Sequence, residues 1–550
     1  MPEGFAEVST VSADVVAPPA DWPDPQISPL GELGETMIHF RPRAVAAVGA
    51  LALATLGVAT SGAVSSGSPS APGAAATAVP TGHLGLHPAV TDYTQMSTST
   101  TPPTESQCYS AGRRCFTPVS TRAAYDVQSL IDRKLDGRGM TIAIVDSHGS
   151  DTIAHDLHVY NQAFGLPAMC GEEGVACANG MPTFSELHLQ GSPATKAPPS
   201  QSQSPGLQDK SAWALEVSLD VETAHSIAPG ANLLLVTTPV SETLGVQGFP
   251  QMMAAEKYVV DHHLATVISQ SFGSAEEAFG SAKSLLNLRD AFVAAAQNGV
   301  TVLASSGDDG SFGTMKQPVG GPNAGPVIPF PVVDWPASDP LVTGVGGTYL
   351  CTNAEATAGR VVDSINPPGS CRAHPGAAEV GWTFSGGGFS HVFDKPDYQA
   401  TLPDHSTAIG ANRGVPDISL QASAGTGALI YITLPPDGQS GLICGSAPCS
   451  TGWYDVGGTS LASPEWAGLV AIADQINGGG LGLINPGLYR IGADAGRYAA
   501  DFHDVTLGNN TADPSVPGYP ATLGWDPVTG LGTPDAAVLL PDLVAAVHGH

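Results

Sequence analysis

Basic side chains are scarce in this sequence. Lysine and arginine total 20 against 50 aspartates and glutamates, for a formal net charge of −30. Phosphate backbones are held by basic surface, so this balance argues against nucleic acid as a partner. An acidic, lysine-poor chain also loses net charge when its carboxylates protonate, which is compatible with work in acid. Cysteine is limited to eight residues. None stands in Cys-x-x-Cys spacing and none has a histidine at zinc-finger distance, which removes the common structural zinc sites. They fall instead into four near pairs, Cys108 with Cys115, Cys170 with Cys177, Cys351 with Cys371, and Cys444 with Cys449. Local disulfides in an exported protein fit that spacing, as a preference among the possible pairings. Long apolar runs are missing as well. The one candidate, 44–58, is too short and too alanine-rich for a membrane span. No repeat of fixed period is visible.

What is present suits a large folded domain with attachments. Hydrophobic residues make up 42 % of the 550, enough for a sizeable core. Residues 1–36 are polar and lack an apolar period. His39, Arg41 and Arg43 then precede the apolar run, and Ser61-Gly62-Ala63 follows it, which is the anatomy of a signal peptide over 37–63. Met37 is then the natural start, or 1–36 is an extension. Residues 64–107, rich in Ser, Thr, Ala, Gly and Pro, are expected to be a flexible linker. The folded domain is expected over 108–550.

Within that domain, strand-like and helix-like stretches alternate. Strands are expected at 140–145, 232–237, 267–271 and 300–305, with helices at 211–227, 252–263 and 285–298. Such alternation means an α/β fold with a mostly parallel sheet flanked by helices. Residues 348–457, rich in Gly, Pro and Ser, are expected to supply loops and hairpins around a site.

Three motifs carry chemistry. Gly457-Gly458-Thr459-Ser460 precedes a helical run. Ser460 would sit in the positive field of a helix N-terminus, where glycines allow a substrate backbone to approach. It is placed like a nucleophile, although a Thr or Ser here is also a common helix cap. Glu216 and Asp220, four apart, share one face of an otherwise apolar helix. Two acids so placed are costly unless they share a proton, or unless that face is solvated. Ser306-Gly307-Asp308-Asp309-Gly310 follows a strand and reads as a turn. Asp146 also follows a strand, as Val145-Asp146-Ser147-His148-Gly149, but the sequence holds no His-Gly-Thr-His. His155 and His158 lack the small-residue setting of a catalytic histidine.

Taken together, these motifs resemble the sedolisin family, the serine-carboxyl peptidases. The resemblance extends to His225-Ser226-Ile227-Ala228-Pro229, Ser385-Gly386-Gly387-Gly388 and Arg413-Gly414-Val415-Pro416-Asp417, and covers roughly residues 116–540. It implies a subtilisin-like α/β fold. It also implies Ser460 as nucleophile, Glu216 as general base, Asp220 as its orienting partner, and a protonated Asp308 as oxyanion donor. The glycine run 386–388 would be a substrate-binding edge or a structural loop. Near the C-terminus the resemblance implies one structural Ca2+ held by the carboxylates of Asp504 and Asp526 and the carbonyls of Val505, Thr522 and Gly524. All-oxygen loop ligands suit calcium. The family's glycine at position 522 is replaced here by threonine. The family is usually made with a long folded prodomain, for which the linker-like stretch between Ala63 and Cys108 leaves no room.

The expectation is a secreted, monomeric, acid-acting peptidase with protein or peptide substrates and no membrane span in its mature form. Two rivals stand beside it: a subtilisin-like protease using Asp146 and a histidine, and a binding protein on a peptidase scaffold.

Overall fold

Parallel strands covered on both faces must be apolar almost throughout, and the central strands of this chain meet that condition. In the strand Thr141–Ser147 every residue after Thr141 is buried, and Val267–Gln270 and Thr301–Ser305 are buried along their whole length. A computed structural model describes residues 92–189, 205–239, 248–314, 327–435 and 441–549. The readings of 1–36, 37–63 and the first part of 64–107 lie outside them.

The eight-stranded sheet runs in the order Glu379–Gly381, Thr343–Leu350, Thr301–Ser305, Val267–Gln270, Thr141–Ser147, Asn232–Thr238, Phe184–His188, and Ile418–Gln421 also pairs with Thr343–Leu350. Only Glu379–Gly381 pairs antiparallel. Alternate residues of a strand face opposite sides, and each side has its own core. Ile142 and Ile144 pack with Val217 and Val221 of the helix Pro205–Ile227 and with Ala462 and Trp466 of the helix Thr459–Asn477. Ala143 and Val145 pack with Met252 and Val259 of the helix Phe249–Asp261 and with Phe292 of the helix Asp290–Asn298. The expected α/β layering is therefore present.

Several expectations change in detail. The helix expected at 211–227 begins earlier, at Pro205. The helix expected over 285–298 is two, Ala282–Leu286 and Asp290–Asn298. Ser281 caps the first, and Asp290 opens the second, where the helix dipole favours an acid. Residues 348–457 do form a hairpin, Gly388–Asp394 with Asn412–Val415, but Ile418–Gln421 enters the central sheet. Ala428–Ile432 and Gly452–Gly457 belong to a second, three-stranded antiparallel sheet.

The third member of that sheet is Asp92–Ser97, paired with Gly452–Gly457 from Asp92 opposite Gly457 to Ser97 opposite Trp453. The linker expected over 64–107 thus ends earlier, and the ordered part begins before Cys108. Asp92–Ser97 has only Tyr93 and Met96 as large apolar residues, too few for a period, and both pack against the core. Backbone pairing and the bonds from Gln95 Nε2 to Ser450 hold it in place. A helix Glu105–Ser110 with a Thr104–Gln107 capping box follows.

All four local disulfides form as the spacing suggested: Cys108–Cys115, Cys170–Cys177, Cys351–Cys371 and Cys444–Cys449. Among the described residues no helix is long and apolar enough to cross a membrane.

Candidate active site

The strand Gly452–Gly457 runs straight into the helix Thr459–Asn477 through Gly458, whose φ is +132°. That angle favours glycine. A Cβ on Gly457 would lie 2.2 Å from the amide nitrogen of Ala424 and 2.4 Å from the carbonyl oxygen of Ala422, so a side chain has no room there. Ser460 consequently stands in the first turn, fully buried, and its Oγ has no hydrogen-bond partner among the described residues. The alternative that Thr459 or Ser460 merely caps the helix does not hold. The N-cap is Gly458, without a side-chain capping bond, and the Thr459 hydroxyl is engaged elsewhere.

Glu216 and Asp220 lie on the helix Pro205–Ile227, which packs against the Ser460 helix. Both acids are completely inaccessible to solvent, as are Leu215, Val217, Leu219 and Val221 around them. A solvated acidic face is therefore ruled out. Burial drives the Asp220 carboxyl well above its ordinary range, and the charges of Asp146 and Glu216 add to that, while a hydrogen bond from Ser271 Oγ to Asp220 Oδ1 at 3.1 Å works the other way. Asp146 is inside its strand rather than after it, and burial pushes it up to about 8. It sits on the strand face of Ile142 and Ile144, toward the Glu216 helix. The residue that resembled a subtilisin aspartate thus joins Glu216 and Asp220 in one acid cluster. His155 pairs with Glu173 at 2.5 Å and His158 with Glu172 at 3.0 Å, so both nearby histidines are engaged with glutamates.

Asp308 ends the turn after the strand Thr301–Ser305. The Thr459 N–H donates to Asp308 Oδ1 at 2.7 Å and the Thr459 hydroxyl donates to the same oxygen at 2.9 Å. The N–H of Gly307 in turn donates to Thr459 Oγ1 at 3.1 Å. The structure thus ties Asp308 to the residue immediately before Ser460. Gly386 backs this turn. Its N–H donates to the carbonyl of Gly307 at 2.8 Å, and a Cβ there would lie 1.9 Å from the Ser306 oxygen. At that position the glycine run is structural support. Asp334 lies across Gly307, its Oδ2 2.5 Å from where a Cβ would stand. Burial raises Asp334 well above its usual range, and Asp309, Glu277, Asp308 and Glu276 reinforce the shift.

No family model matches the chain. Kumamolisin of Bacillus sp. (strain MN-32) is 30 % identical over 443 residues, which are 80 % of this chain and 66 % of that protein. Sedolisin of Pseudomonas sp. (strain 101) is 32 % identical over 340 residues, 61 % of this chain and 50 % of that protein. The solved structure of Pseudomonas sedolisin, a serine-carboxyl proteinase complexed with pseudo-iodotyrostatin, matches with a TM-score of 0.56 at 26 % identity, over 78 % of this chain and 98 % of that one. This chain belongs to the sedolisin family. Its α/β fold is the subtilisin-like fold that the resemblance implied. Tripeptidyl-peptidase 1 of Canis lupus familiaris is also similar, 27 % identical over 360 residues, 62 % of this chain and 53 % of that protein. The chain spans between half and two thirds of the length of these curated relatives.

The loop read as a calcium site by its likeness to sedolisins has a fitting donor set. Asp526 Oδ1 accepts from the N–H groups of Val528 and Thr529 at 2.8 and 2.9 Å, and Oδ2 accepts from that of Thr522 at 2.9 Å. Asp504 Oδ2 accepts from the N–H of Gly524 at 2.9 Å. Burial pushes Asp526 up to about 7, and the Asp504 charge adds to it. The two carboxylates influence each other electrostatically, as acids sharing one cation would. The carbonyl oxygens of Val505, Thr522 and Gly524 take no backbone hydrogen bond among the described residues. Thr522 needs no positive φ, so the replaced glycine leaves the backbone path intact.

Reading the sequence residue by residue missed three participants: Thr459, Ser271 and Asp334. Thr459 was visible in the Gly-Thr-Ser string but read only as a cap. Ser271 and Asp334 carry no local signal.

Proposed function

We propose that this chain is an acid-acting serine-carboxyl peptidase that hydrolyses peptide bonds in protein or peptide substrates. The observation that carries this reading is the link between Asp308 and Thr459, which brings an acid, where an amide would serve at any pH, beside the nucleophile's helix. In the proposed reaction Ser460 Oγ attacks the scissile carbonyl carbon and Glu216 takes the hydroxyl proton. Asp220, kept protonated by burial and acid neighbours, donates to Glu216 and fixes it. In this reading Oδ2 carries that proton, while Oδ1 accepts from Ser271. Protonated Asp308 donates to the oxygen that becomes negative. The Glu216 proton then passes to the leaving amine, and water resolves the acyl-enzyme by the same steps. A bound Ca2+, held by the carboxylates of Asp504 and Asp526 and the carbonyls of Val505, Thr522 and Gly524, would fasten the C-terminal loops. Four local disulfides support an extracellular product.

The test is hydrolysis of a denatured protein across pH, with Ser460→Ala as control. Glu216 must be ionised while Asp308 keeps its proton, so the expected optimum is about pH 3–5, around the ordinary carboxyl range. The limbs of the profile belong to the coupled acids together. Asp308→Asn donates at every pH, so its residual activity should fall less steeply above pH 5. An optimum at pH 7 or higher would fit a histidine base and sink the carboxylate mechanism. Product lengths would separate endopeptidase from tripeptidyl-peptidase action.

A further inference from the structure

Asp308 can stabilise an oxyanion only if its proton sits on the oxygen that faces the substrate. A carboxylic acid has two oxygens, and nothing intrinsic to it selects one. Around Asp308 the selection is made by Thr459. Its backbone N–H and its hydroxyl both donate to Oδ1, at 2.7 and 2.9 Å. The N–H can only donate; the hydroxyl, which accepts from the Gly307 N–H at 3.1 Å and keeps a second lone pair, donates its one hydrogen to Oδ1 so long as that oxygen carries none. All three groups are buried, with Thr459 at 0 % and Asp308 at 1 % exposure, so water does not relax the arrangement. A proton on Oδ1 would face the N–H and would cost the bond that the hydroxyl donates. On Oδ2 it does neither.

We infer that Thr459 is a positioning residue that confines the Asp308 proton to Oδ2 and so holds this acid in the donor form required of it. The inference rests on the proposed peptidase reading and extends it by one residue. It carries a second consequence of opposite sign. Hydrogen bonds donated to a carboxyl favour its ionised form, so the same two donors that aim the acid also ease the loss of its proton. Asp309 stands beside it and Asp334, whose charge couples to that of Asp308, lies across Gly307; Glu276 and Glu277, the latter bonded to His391, act on Asp334 in turn. The acids among them favour the protonated form. Thr459 thus trades aim against the upper pH limit of activity.

The experiment compares kcat and KM across pH for the wild type, Thr459→Val, Thr459→Ser and Asp308→Ala, and for Thr459→Val combined with Asp308→Ala. Removing an oxyanion donor outright costs about 10²–10³ in kcat, so misaiming one should cost about 10–100-fold, with KM little changed. In Thr459→Val the alkaline limb should move to higher pH, since one ionising donor is gone. Thr459→Ser restores the hydroxyl and should recover most of the rate. Added to Asp308→Ala, Thr459→Val should cost nothing further. A full additional loss there, or a limb that stays put or moves to lower pH, would show that Thr459 acts on Ser460 or on the fold and would overturn the inference. If Asp308→Ala itself kept full activity, the oxyanion reading would fail, and that result is separable from any result at Thr459. Should Thr459→Val not fold, Thr459→Ala gives the same comparison.

Discussion

Glu216 and Asp220 lie one helical turn apart on a helix with no solvent-exposed face at that level. Their chemistry therefore depends on each other and on Asp146, since no water screens them. Glu216→Gln and Ser460→Ala should each lower kcat by roughly 10⁴-fold or more, because nucleophile and base act as a unit. Circular dichroism should show both variants folded. His155→Ala should be nearly silent, as a partly exposed pair with Glu173 contributes about 0–1 kcal/mol. An inactive His155→Ala beside an active Glu216→Gln would favour the subtilisin alternative. At this scale the sequence supplied candidates where identity and spacing suffice: Ser460, and Glu216 with Asp220 at one turn's separation, all three of which the structure buries. It was silent on partnerships made across the fold. Nothing local tells that Asp146 faces Asp220, that Ser271 reaches Asp220, or that Thr459 turns its hydroxyl to Asp308. Those bonds join residues from different strands and helices, and only the packed sheet creates them.

Elements legible from the sequence were those with strong apolar runs. Thr141–Ser147, Asn232–Thr238 and Thr301–Ser305 came within about two residues of expectation, an ordinary uncertainty for element ends. Asp92–Ser97 was missed because its two large apolar residues, Tyr93 and Met96, make no recognisable period, and its place comes from backbone pairing and their packing against distant residues. The helix expected over 285–298 was misread because its interruption, at Asn287 to Arg289, contains neither Gly nor Pro. The C-terminal loops have no regular structure of their own between His503 and Thr533 beyond short bridges, so their stability depends on side-chain links and, in the proposal above, on Ca2+. Chelation should lower the Tm of a metal-loaded sample and leave the triad chemistry intact while the protein stays folded. Saturation a hundredfold above Kd adds about 2.7 kcal/mol. Asp526→Ala should start from the lower Tm and respond no further to chelator. An unchanged wild-type Tm in chelator would remove the calcium site.

Across the whole molecule, buried acids outnumber what the proposed reaction uses. Glu222 and Glu256 are held well above the ordinary carboxyl range, Glu465 is pushed up to about 8, Asp474 to about 7 and Asp156 to about 6, in each case chiefly by burial. In an unfolded chain such groups titrate at about 4. Between that value and their raised ones the folded form holds more protons than the unfolded form, so stability must fall as pH rises. The contribution is complete below about pH 4 and is lost progressively through about pH 6–8. Tm measured from pH 4 to pH 8 at fixed calcium should decline across that window, and a flat or rising curve would show that these carboxyls are better accommodated as anions than their burial implies. The scarcity of lysine and arginine was the visible trace of this in the sequence. Which acids are interior was not, because burial is decided by tertiary packing.

The ribosome releases Asp92–Ser97 long before it makes Gly452–Gly457, the strand against which that segment lies. Ser460 follows Gly457 by three residues, so nucleophile and late strand emerge together. Glu216, Asp220 and Asp308 are all synthesised earlier. A nascent chain therefore carries its acids before the proposed nucleophile, and the early strand lacks this partner until Gly452–Gly457 is made, with four helices still to follow. Pairings so distant along the chain are slow to form. Synthesis order thus acts as a timer, withholding the proposed hydrolytic capacity until most of the polypeptide has been made.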